Sequence, residues 1–152
     1  MGCDIHCYAE RRSGKKWQKV KCDALGNRSY GTFGFLADVR NYSDIPPIAE
    51  RRGFPADASS GVRGSYEGWG GDAHSPSWLT LDELSSFDYD QPVEDRRVTR
   101  QLGPNFFSGG CTAEPGGGHM TTFRAFLGEW FFKDLQKLRD AGADRIVFWF
   151  DN

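Results

Sequence analysis

Residues 145–150, RIVFWF, constrain this chain more than any other stretch. The run is short and apolar after its leading arginine, it shows no polar alternation, and it follows the helix stop Gly142. It therefore reads as a strand buried on both faces, at the centre of a sheet. Such a strand needs cover, and the preceding segment supplies it. Phe123, Phe126, Leu127, Trp130, Phe131, Leu135 and Leu138 trace one face of a single long amphipathic helix over residues 123–141, with Thr121 or Thr122 as its cap.

The opening residues 3–9, CDIHCYA, alternate at the period of a strand: Cys3, Ile5, Cys7 and Ala9 on one face, Asp4, His6 and Tyr8 on the other. Residues 17–21 resume an extended pattern after the polar segment 11–16, which predicts a hairpin with a longer loop. A short amphipathic helix is expected over residues 30–41, with Asn41 as its stop. Thr80 and Glu83 have the spacing of a capping box, so a further helix opens near Leu81. From Pro46 to Trp78 the chain reads as one long irregular Gly/Pro-rich loop, and residues 109–118 as another. Residues 91–102 read weakly as a helix with Arg96, Arg97 and Arg100 on one side. The expected fold is α+β: a small mixed sheet of the N-terminal hairpin and the buried C-terminal strand, packed by the long helix, with extended loops at one end.

At 152 residues, 1–152 is expected to form one domain. A formal net charge of −2 provides no global basic field, which disfavours extended nucleic acid as a partner. No apolar run approaches the ~20 residues of a membrane span, so no membrane partner and a cytoplasmic protein are expected. The four cysteines show no metal-binding spacing and read as free thiols. The aromatic richness is compatible with a homo-oligomer.

Four blocks stand out together: MGCDIH at residues 1–6, RSYGTFGFLADVRN at 28–41, HSPSWLT at 74–80 with Glu83-Leu84, and VFWFDN at 147–152. In this combination the chain resembles a group of small, uncharacterised bacteriophage and prophage proteins. The resemblance implies a phage setting, in the cytoplasm of an infected bacterial host, and brings no activity with it. Residues 55–71 and 87–118 lie outside it.

The polar residues suggest three kinds of chemistry. Asp4 and His6 project from one face of a strand, Asp72 and His74 repeat the Asp-x-His spacing in a loop, and Asp151 ends the central strand. As an enzyme, the chain would use Asp4, His6 and His74; with a divalent metal as cofactor, Asp4, His6, Asp72, His74 and Asp151 would be its ligands, in a phosphoesterase-like hydrolase. The Asp4-x-His6 opening is similar to that of calcineurin-like phosphoesterases, but Cys7 stands where they have glycine and no Gly-Asn-His block follows. Their structural alternative is hydrogen bonding that orients loops. His119-Met-Thr121 is better explained as helix capping than as half of a two-motif phosphoesterase, and Ser77, His74 and Asp4 lack the nucleophile elbow of a triad.

Arginine outnumbers lysine 13 to 6, and several arginines neighbour aromatic residues in loops. Planar guanidinium groups and rings suit a compact phosphorylated or nucleotide-derived ligand. The leading expectation is therefore a binding protein with its pocket formed by Arg40, Asn41, Arg52, Trp69, His74, Ser77 and Trp78, able to sequester a host defence signal. A third reading is a virion or assembly interaction protein, whose loops serve contacts and whose polar residues are structural.

Overall fold

The computed structural model describes residues 2–112 and 114–152, with Arg100 as backbone alone; Met1 of the opening block and the Arg100 side chain lie outside the described residues. The first half of the chain forms β1 (Asp4–Ser13), β2 (Lys16–Val20), α1 (Tyr30–Ala37), α2 (Ser60–Trp69) and β3 (His74–Thr80). The second forms α3 (Leu81–Ser86), β4 (Pro92–Asp95), β5 (Arg97–Gly103), β6 (Phe106–Cys111), β7 (His119–Thr122), α4 (Phe123–Leu127), α5 (Glu129–Asp140) and β8 (Arg145–Asp151). The fold mixes helices with three antiparallel sheets: β2-β1-β8-β3, β4-β7 and β5-β6.

β8 lies between β1 and β3, and Ile146 through Phe150 are wholly buried. Side-chain parity divides it. Ile146, Phe148 and Phe150 share a core with Ile5, Ala9, Leu79 and residues of α1, α3, α4 and α5. Val147 and Trp149 face the other way, beneath Val62, Tyr66 and Trp69 of α2. Helices on both faces explain why this strand carries no wet side.

The sheet is antiparallel throughout, where a mixed sheet was expected, because β8 runs opposite to both of its neighbours. Its hairpin is also tighter than predicted. Ser13 pairs with Lys16, and Gly14 takes a left-handed conformation (φ +63) that permits a two-residue connection. The predicted long helix is two helices. Gly128 at φ +80 and ψ 168 leaves helical geometry, ends α4 and resets the phase, so Trp130 points outward at 67% exposure. Thr122 caps α4.

α1 stops at Ala37, with left-handed Asp38 as its C-cap, earlier than the predicted Asn41. The long loop before Trp78 contains α2, capped by Ser59, and most of β3. Residues predicted as a weak helix instead form β4 and β5, each paired with a strand that follows it in the chain. The supposed glycine loop starts within β6. The β4–β7 pairing is non-local, β5 and β6 form a hairpin across Pro104-Asn105, and none of these strands shows a strong period of its own. The capping box at Thr80 and Glu83 forms as predicted.

Candidate functional site

Antiparallel pairing sets Asp4 opposite Asp151, and His6 opposite Trp149. Directly paired residues share a face, so Asp4, His6 and Asp151 lie on one face of the sheet at the end of β8. His6 Nε2 and Asp151 Oδ1 are 2.9 Å apart, and the Trp69 ring from the end of α2 lies 4.2 Å from the imidazole. Asp4 has a different partner. Arg28 donates to both of its oxygens at 2.8 Å, and these hydrogen bonds hold the carboxyl below its ordinary range. Gly2 lies beside this pair, and a Cβ there would displace the Arg28 guanidinium from its present position.

One residue further, Asn152 joins two segments distant in sequence. Its Oδ1 lies 3.4 Å from an Arg40 terminal nitrogen, which donates to it, and 3.2 Å from His74 Nε2. His74 Nδ1 is 3.0 Å from Ser75 Oγ. Arg40 (φ +49) and Ser75 (φ +53) both have left-handed backbones. This conformation is unfavourable for residues with a Cβ, and it tends to cluster where a surface has a task.

Asn41 holds the Arg40 turn. Its amide donates to Asp38 Oδ1 and to the Ile45 carbonyl, both at 2.8 Å, while its Oδ1 accepts the Ile45 N–H at 3.0 Å. A predicted ligand contact thus acts in the structure as the brace of another.

Arg40 also donates to the Tyr42 hydroxyl at 2.9 Å and lies 5.8 Å from the Tyr30 ring centroid. Beyond these tyrosines opens a groove of about 500 Å³, lined by Tyr30, Tyr42, Arg97 and Gly109 through Thr112. A smaller cleft sharing Tyr30, Tyr42, Arg97 and Cys111 reaches Arg40 and Asn41. Arg97 is fixed there by two bonds to Asp95 and one to the Phe126 carbonyl. Sequence reasoning missed Tyr30, Tyr42 and the β6 wall. The available signal was the RSYGTF block for Tyr30; nothing local joins Gly109-Gly110 to it.

Arg52, Ser77 and Trp78 form a separate group. Ser77 Oγ accepts the Arg52 N–H at 2.9 Å, and the Arg52 guanidinium lies 4.6 Å from the Trp78 ring while gripping Glu83 with both terminal nitrogens. The Arg52 hydrogen bond draws the Glu83 carboxyl down to about 2. These residues tie the loop before α2 to the capping box of α3. They separate from His74 because His74 pairs with Phe150, whereas Trp78 pairs with Val147 further along β8.

The five proposed metal ligands do not assemble. Asp4 is held by Arg28, Asp72 lies in a 3-10 turn, and among the described residues no three His, Cys, Asp or Glu side chains are grouped to hold a metal ion. The candidate catalytic trio is likewise divided: His6 pairs with Asp151, and His74 with Asn152.

No helix among the described residues is long and apolar enough to cross a membrane. No protein-family model, curated protein or solved structure matches this chain.

Proposed function

We propose that this protein binds a compact phosphorylated or nucleotide-derived anion in the groove between Tyr30, Tyr42 and β6, with Arg40 as its charged contact. The observation that supports this reading most is the groove itself. It has the volume of a small-molecule site, two tyrosines on one side, and on the other Gly109 and Gly110, beside which there is open space. The two glycines leave room for a planar ring between the tyrosines and the Cys111 and Thr112 side chains of the same wall. A phosphate oxygen is a stronger acceptor for a guanidinium than a neutral hydroxyl or amide oxygen.

In the phage setting that the four sequence blocks imply, capture without turnover in the cytoplasm of an infected host withholds a signal from its receptor. Isothermal titration against nucleoside mono- and diphosphates and cyclic dinucleotides tests the reading. At least one should bind stoichiometrically and be recovered intact after denaturation. Arg40→Ala and Gly110→Val should each weaken binding at least about tenfold. If no member of the panel binds, or if both variants keep full affinity, the proposal fails.

A second reading, hydrolysis, is favoured by the His6 and Asp151 contact, since a carboxylate can orient an imidazole for acid/base work. Release of inorganic phosphate from the same panel, lost in His6→Ala, would replace binding by turnover.

A further inference from the structure

Residues 11–21, RRSGKKWQKVK, hold six of the chain's nineteen lysines and arginines and no acidic residue. The net charge of −2 that argues against a global basic field is a sum over the whole chain and conceals this run. It folds into the β1–β2 hairpin, where Arg11, Arg12, Lys15, Lys16, Lys19 and Lys21 are all exposed. Among the described residues none of the six makes an ion pair. Arg12 donates to the Gly14 carbonyl and Lys19 lies over the Tyr8 ring, and neither contact neutralises a charge. The acids that touch the hairpin are Asp57, bonded to Arg145 and the Trp17 indole, and Asp144, which accepts the Arg12 backbone N–H.

β8 pairs with β1 only as far as Glu10, so residues 11–13 and 16–18 pair with each other alone. The hairpin therefore runs on past the central strand by three residues, roughly 10 Å at ~3.3 Å each. Its cations occupy both faces. Arg11 shares a face with Lys16, which pairs with Ser13, while Arg12 and Lys19 lie on the opposite face and Lys15 sits in the turn.

Unneutralised cations on both sides of one ribbon suit a polyanion that flanks it. A flat anionic membrane, or one face of an acidic protein, would leave half of them unused. Single-stranded nucleic acid is held by rings on which bases stack, and Trp17, the one ring of the hairpin, already lies against the guanidinium groups of Arg12 and Arg145 at 5.3 and 3.8 Å. Duplex RNA has a major groove too narrow for side chains to enter. The major groove of B-form DNA, about 12 Å wide and about 8.5 Å deep, admits a two-stranded ribbon between two walls of phosphates. We propose that the β1–β2 hairpin docks duplex DNA tip first in this groove, with Arg11 and Lys16 toward the phosphates of one wall and Arg12 and Lys19 toward those of the other. Such contacts position a protein without reading base sequence. The tip lies at the far end of β1 from Asp4, so this surface is separate from the anion site.

Fluorescence anisotropy of a labelled 20-base-pair DNA duplex, titrated with the full chain between about 50 and 200 mM salt, tests this. The duplex should bind, with an affinity that falls linearly in log–log form by about 0.9 for each phosphate neutralised. Lys15→Ala with Lys16→Ala should lower that slope by about two and weaken binding at least about tenfold at low salt. Arg11→Ala and Lys19→Ala, one on each face, should each lower it by about one. Lys133→Ala with Lys137→Ala on α5 should leave it unchanged. All these side chains are exposed, so circular dichroism should report an intact fold. Absence of duplex binding at low salt overturns the proposal, as does a slope that the hairpin variants leave unchanged or that responds on one face alone. Equal or tighter binding of single-stranded DNA, of duplex RNA of the same length, or of phosphatidylserine vesicles also overturns it.

Discussion

Glu10 and Arg145 face each other across β1 and β8 as a buried ion pair, with Arg145 Nε 2.7 Å from Glu10 Oε1 and the two residues 2% and 0% exposed. Asp57 adds a contact to Arg145 at 3.0 Å, and the Trp17 ring centroid lies 3.8 Å from the guanidinium. The polar residue that opens the apolar run is thus ion-paired inside the fold, with its Nη2 held against Glu10 Oε1 by charge and not by a hydrogen bond. Removing one partner strands the other charge. Glu10→Ala should destabilise the protein by about 3–5 kcal/mol, whereas replacing both residues with apolar ones of similar volume should cost much less. Urea denaturation measures both, and a loss under about 1 kcal/mol for Glu10→Ala would show that Asp57 suffices.

Gly34 packs against Asn41, and a Cβ there would lie 2.7 Å from Asn41 Oδ1. Gly34→Ala should displace the brace that holds the Arg40 turn, with a stability cost of about 1–3 kcal/mol. Ligand affinity should fall with it. A variant that loses stability but binds as wild type would place Arg40 outside the binding contact.

Acid should weaken the link between Arg52 and Glu83. The folded carboxyl titrates near 2, against an ordinary value of 4.5, so its contribution is present above the ordinary value and lost as pH falls toward 2. The expected signature is a decline in thermal midpoint between about pH 4.5 and 2 that is shallower in Arg52→Ala. Equal slopes in the two proteins would remove this pair from the acid response.

Asn152 connects Arg40 to His74 from an exposed position just after β8. Asn152→Ala should change stability by less than about 1 kcal/mol, because exposed polar contacts contribute little. It should nevertheless lower affinity for the anion several-fold by removing one positioning contact from each side chain. Paired titration and denaturation curves separate the two effects; unchanged affinity would show that Asn152 does not position the site.

Much of the architecture was legible because its signals are local. The absence of alternation in residues 145–150 marked β8 as central, the capping box marked α3, and parity on β1 put Asp4 and His6 on one face. That Asp151 shares this face, where His6 reaches it, followed once β1 and β8 became neighbours. Other features were hidden for stated physical reasons. A helical wheel runs through Gly128 without a break, yet the left-handed backbone there divides the helix and turns Trp130 outward. The β4–β7 and β5–β6 pairs depend on contacts between strands with weak periods of their own.

The candidate pocket divided along the same line. Residue type alone selected Arg40 and Arg52 equally, since both are arginines near rings. Tertiary placement separated them: Arg52 grips Glu83 beside α3, while Arg40 reaches Tyr42 and Asn152 and lines the smaller cleft that adjoins the groove. By itself the sequence determined which strand must be buried and which polar groups β1 presents together, because both follow from side-chain period. Only the tertiary structure decided what each polar group touches, because a hydrogen-bond partner depends on register and on segments brought together from across the chain.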